Sequence, residues 1–71
     1  MKKVPIANEI RRLRFEHGEM TQKDLAARVG VTRHTIMSVE NAKYSPTLEL
    51  AFRIAAVFEV DIGAVFTYEP T

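Results

Sequence analysis

Arg33, His34 and Ser38 are the side chains whose type and spacing best support chemistry in this 71-residue chain. They follow Gly30-Val31-Thr32 and open a stretch of helical period, so they are polar groups reaching outward from a helix start. An arginine there can present a two-pronged donor to O6 and N7 of guanine, worth about 1–3 kcal/mol of discrimination against other bases. A histidine can give or take one hydrogen bond but cannot clasp adenine in the bidentate manner of glutamine. Ser38 is either a further donor or a small spacer that permits close approach. Catalytic and metal chemistries fit these residues poorly. Ser38 and His34 lie four apart on one helix face, yet no third group is placed to orient the histidine, and so short a chain has little room for a pocket. His17 and His34 are far apart and cysteine is absent, so zinc lacks a ligand set. The reading is therefore non-enzymatic, with no metal and no cofactor.

These side chains need two short helices to hold them. Thr21 opens the first of the pair: its hydroxyl can accept from the amide of Asp24, whose carboxylate can reach back in a Thr-x-x-Asp capping box. Leu25, Ala26 and Val29 form its narrow apolar face, and Ala26 is small enough for another helix to cross closely. Gly30 supplies the positive φ that a sharp turn requires, and Val31 plugs the turn into the core. Thr32 caps the second helix, where Ile36 and Val39 point inward. Two helices joined in this way suit a helix-turn-helix that lays its second helix in the major groove of DNA.

Around this pair the period and punctuation predict three more helices, giving an all-α, compact five-helix single domain over 1–71. The helices are expected at about 6–17 (starting at Ile6 or at Asn8), 21–28, 32–40, 47–58 and 61–66, with a tail at 67–71 that is extended or disordered. Ile6, Ile10 and Leu13 share one face of the first helix, which Gly18 ends; Phe15 lies nearly opposite. The fourth helix is the most apolar and is expected at the centre of the core. Met20, Met37, Phe52 and Phe58 read as core or interface residues.

Composition narrows the function further. A domain this small buries only roughly 60% of its unfolded surface, so dimerisation is a natural reinforcement where disulfides are impossible. Residues 1–20 hold five basic and three acidic side chains, residues 21–47 four and two, and residues 48–71 one and four. The net charges are +2, +2 and −3 within an overall +1, so the basic part coincides with the proposed DNA-reading part. Met1-Lys2-Lys3 resembles the charged start of a signal peptide, but Asn8, Glu9 and Arg11 arrive before any apolar run, and no stretch approaches a membrane span. The expectation is a cytoplasmic protein.

Thr21-Gln22, Ala26, Gly30-Val31-Thr32, Ile36, Val39 and Glu40-Asn41, in this order among five short helices, resemble the phage Cro/repressor family, also called the XRE family. The resemblance spans about Ile10 to Phe66 and is nearest to the small one-domain regulators with a lambda-repressor-like fold. It implies that Gln22 bridges phosphate and base, and that Thr32, Arg33, His34 and Ser38 face the bases. Thr21, Lys23, Asn41, Lys43 and Tyr44 match positions that contact the DNA backbone, which fix register without reading sequence. Arg14 and Glu40 match an ion pair between the first and third helices. His34, Ala42 and Glu59 depart from the pattern, where glutamine, glycine and glycine respectively are common. Over Ala42, either Asn41 takes the left-handed conformation or the loop differs.

Two functions fit the residues. The leading expectation is a transcriptional regulator, a repressor that binds a palindromic operator in double-stranded DNA as a homodimer, with no small-molecule ligand implied. Ile62, Val65, Phe66 and Tyr68 are the candidate dimer surface; the lesser alternative is that Val65 and Phe66 close the monomer's own core. The alternative is a protein-interaction module, an antitoxin or co-regulator, on the same fold. The two separate at the start of the third helix: a regulator needs Arg33, His34 and Ser38 facing solvent, whereas an adaptor needs an apolar patch there.

Overall fold

The computed structural model describes residues 3–70; Met1 and Lys2 of the basic start, and Thr71 of the tail, lie outside the described residues. The chain runs β1 (Ile6–Asn8), α1 (Ile10–Glu16), α2 (Gln22–Val29), α3 (Arg33–Glu40), α4 (Leu48–Val57), α5 (Ile62–Val65) and β2 (Phe66–Tyr68). Three of the helices start on a threonine whose hydroxyl accepts an amide hydrogen bond three residues on: Thr21 from Asp24 at 3.0 Å, Thr32 from Thr35 at 3.2 Å and Thr47 from Leu50 at 3.1 Å. Gly30 ends α2 in the left-handed conformation, with φ of 75°, and turns the chain into α3.

The core forms where the apolar faces of the helices converge. Ile10, Leu25, Ile36, Ile54 and Val65 are wholly inaccessible, and Leu13, Val29, Val39 and Phe58 nearly so. α4 packs against both α2 and α5, so the most apolar helix holds the centre, while Val31 and Ile62 are partly buried against the cluster. Phe15 lies outside it and is largely exposed.

The first helix is the clearest correction. Residues 6–9 are not helical: Ile6–Asn8 pairs antiparallel with Phe66–Tyr68, in the register Ile6↔Tyr68, Ala7↔Thr67 and Asn8↔Phe66. Hydrogen bonds from Glu9 N to Val65 O and from Glu69 N to Pro5 O, both 2.8 Å, continue the link between the two ends of the chain. Backbone pairing with the tail gives these amides partners that a frayed first turn would lack. α1 begins instead at Ile10, whose amide donates to Asn8 Oδ1 at 3.2 Å. Phe66, expected in the fifth helix, belongs to β2, so the mostly helical fold carries a small two-stranded sheet.

A second correction concerns the candidate dimer surface. Val65 is fully buried, and Ile62 and Phe66 pack partly against the same core, so these residues chiefly close the monomer. Tyr68 alone of the four is mostly exposed, at 67%.

The α3–α4 loop is corrected as well. Ala42 itself takes the left-handed conformation, with φ of 57°, while Asn41 stays at φ −84°. Glu59 after α4 does the same at 56°. Both positions keep the backbone that glycine would favour, without glycine.

Candidate nucleic-acid interface

α3 is fixed in the molecule by its inward side chains, Ile36 and Val39, and by polar anchors at its last turn. Arg14 of α1 meets Glu40 with two donors, Nε to Oε2 at 2.7 Å and Nη2 to Oε1 at 3.2 Å. Its remaining nitrogen, Nη1, donates to Met20 O at 2.8 Å. Gln22 of α2 adds a third donor to the same carboxylate, Nε2 to Oε1 at 3.3 Å. The pair is mostly buried, with side-chain exposures of 16% and 7%, and no buried side-chain nitrogen or oxygen among the described residues lacks a hydrogen-bond partner. Three helices therefore meet on one carboxylate. A two-pronged guanidinium has a fixed plane, so this contact sets the orientation of α3 about its axis as well as its distance.

Sequence reasoning missed a fourth anchor. Asn8 of β1 donates from Nδ2 to Val39 O at 2.9 Å and to Glu40 O at 3.4 Å, satisfying carbonyls at the end of α3, while its Oδ1 starts α1. No local signal in the sequence marks this role, because the carbonyls that Asn8 serves lie about thirty residues further along, at the end of α3.

With α3 held in this way, its outer side is polar. Thr32, Arg33 and His34 are exposed and Ser38 is half-buried. His34, Thr35 and Ser38 line a shallow groove together with Lys43 and Tyr44 of the following loop. The groove thus joins two of the expected base-facing residues to two of the expected backbone-contacting ones. It adds Thr35, which the sequence reading passed over; its hydroxyl lies 3.0 Å from that of Thr32. Arg33 stands outside this groove, at the first turn of α3 beside the Gly30 turn. Thr21 and Lys23 are exposed at the start of α2, and Asn41 is exposed at the end of α3. Gln22 is half-buried and already bound to Glu40, so it is a brace as placed.

Chemically, this surface can donate hydrogen bonds and positive charge to a polyanion. Among the described residues no cluster of three or more potential metal ligands occurs, and no helix is long and apolar enough to cross a membrane.

Two helices joined at a left-handed glycine, with the second exposing its polar face, define a helix-turn-helix domain. A helix-turn-helix family model matches residues 10–65, and the chain belongs to that family, of the XRE type. It is 47% identical over 62 residues to an uncharacterised HTH-type transcriptional regulator of Methanocaldococcus jannaschii, covering 87% of this chain and 92% of that one. It is 37% identical over 62 residues, with the same coverage, to the uncharacterised HTH-type transcriptional regulator YgzD of Bacillus subtilis. The fold also matches a crystal structure of a Bacteroides fragilis protein suggested to bind DNA. That match has a TM-score of 0.74 and 22% identity, and covers 87% of this chain and 98% of the other.

Proposed function

We propose that this protein is a DNA-binding transcriptional regulator that lays α3 in the major groove of a palindromic operator, binds it as a homodimer, and represses by occupying promoter DNA. The observation that carries this reading is the outer side of α3. It offers Arg33, His34 and Ser38, beside Lys43 and Tyr44, where an adaptor would need an apolar patch. The similarity to HTH-type transcriptional regulators supports the same class. In this reading Arg33 reads guanine, while His34, Ser38 and Thr32 meet neighbouring base edges. Gln22 reaches the groove edge while braced on Glu40. Thr21, Lys23, Asn41, Lys43 and Tyr44 hold the backbone. One monomer spans too few base pairs for genomic selectivity, and two half-sites about one helical turn apart restore it through two-fold symmetry.

The test is a gel-shift titration against random-sequence duplex at two salt concentrations, followed by selection of a binding site from a random pool. Binding that weakens steeply with salt, and recovery of a symmetric site, are the expected results. Absence of binding at low salt, or binding indifferent to salt, sinks the operator reading.

A further inference from the structure

The segment before β1 docks against the α3–α4 loop. Pro5 O accepts from Glu69 N at 2.8 Å, and Val4 N donates to Ala42 O at 2.9 Å, so consecutive residues are fixed to two separate parts of the fold. Lys3 lies one residue beyond this fixed point. It lines a cleft with Ala7, Asn8, Glu40, Asn41 and Lys43. Glu40 is the carboxylate of that cleft, and it is occupied by Arg14 and Gln22. Neither Lys3 nor Lys43 is paired with a carboxylate among the described residues. The cleft therefore carries two exposed, uncompensated ammonium groups beside the loop that continues from α3.

We infer that Lys3 and Lys43 form a seat for two neighbouring backbone phosphates of duplex DNA, one to each ammonium group, with the segment before β1 serving as a second phosphate-binding element outside the helix-turn-helix. The inference rests on the DNA-binding reading above. An anionic ligand is what two unpaired ammonium groups select, and a duplex that lays its groove on α3 carries a phosphate strand past the loop at Lys43. Anchoring at Val4 ties the chain immediately after Lys3, which lowers the ordering cost of seating its side chain on a phosphate. Each phosphate neutralised contributes about 0.9 to the slope of log affinity against log salt.

The measurement is that slope, on random-sequence duplex and on the selected site, for the parent chain, Lys3→Gln, Lys3→Arg and Val4→Pro. Lys3 is exposed, so its replacement leaves the fold intact. Lys3→Gln is expected to flatten the slope by about 0.9 on both duplexes, close to a 3.5-fold smaller loss between 50 and 200 mM salt, with the ratio of the two affinities unchanged. Lys3→Arg is expected to keep the parent slope, and Val4→Pro, which removes the anchoring amide, to behave like Lys3→Gln. An unaltered slope in Lys3→Gln, with the parent still binding in a salt-dependent way, overturns the seat and leaves the regulator reading standing. An unaltered slope in Val4→Pro alone overturns the anchored geometry. A parent chain that does not bind DNA removes both.

Discussion

At the scale of single residues, reading the base and holding the reader are separate tasks. Arg33 is exposed at the start of α3 and is paired with no carboxylate among the described residues, so its loss should touch recognition alone. Arg33→Ala is expected to weaken binding to the selected operator by about 1–3 kcal/mol, roughly 5- to 150-fold, and to change random-duplex binding little. Equal losses on both would make Arg33 a phosphate contact. Arg14 holds without reading. Arg14→Ala strands the mostly buried carboxylate of Glu40 and should lower stability by about 3–5 kcal/mol, measured by urea denaturation. Replacing both partners with leucine should recover most of that stability, because no buried charge remains. Operator affinity should stay reduced in the double variant, since α3 and Gln22 have lost their common anchor. Recovery of full affinity would confine the pair to a stabilising role.

At the scale of elements, the turns that follow α3 and α4 put L-residues in a backbone that favours glycine. A left-handed conformation costs an L-residue roughly 1–2 kcal/mol, and Ala42 and Glu59 both adopt it. Glycine removes that cost but frees the unfolded chain by about 0.4–1 kcal/mol, so Ala42→Gly and Glu59→Gly should each stabilise by about 0.5–1 kcal/mol. In a domain of this size that raises Tm by about 2–8 °C in a thermal melt, and a fall would show that the neighbouring backbone holds these residues without strain. Both positions were visible in the sequence as departures from a glycine pattern; that Ala42 itself would take the strained angle was not. The helices with threonine caps were legible to within a residue or two, because each cap and each apolar period agree locally. β1 was not legible. Ile6, Ile10 and Leu13 carry a helical period, but the partner that makes Ile6–Asn8 a strand lies about sixty residues away, and a three-residue strand has too few residues for a period of its own. Asn8 went unplaced for the same reason, since its acceptors lie on another helix.

At the scale of the whole molecule, the proposed homodimer would present α3 twice, and the burial of each surface residue restricts where a second copy can bind. Val65 is inside the core, and Ile62 and Phe66 lean on it, so most of the expected apolar end is already spent within one chain. What remains at that end is Tyr68 on β2, a strand paired on one side with β1 and free of other strands on its second edge among the described residues. An exposed tyrosine on an open strand edge suits association with a second copy, through the ring and through backbone hydrogen bonds together. Tyr68→Ala should leave the thermal melt of the monomer within a degree or two, because the side chain is mostly in water. If β2 is the seam, the same change should raise the dimer dissociation constant at least tenfold by sedimentation equilibrium. Operator binding would then become steeply dependent on protein concentration, as two half-site events replace one. An unchanged dimer would move the seam elsewhere, first to the outer face of α4, where Leu48 and Phe52 stand four residues apart and largely exposed. The spacing of the half-sites recovered by selection discriminates between these seams, because each fixes a different distance between the two α3 helices.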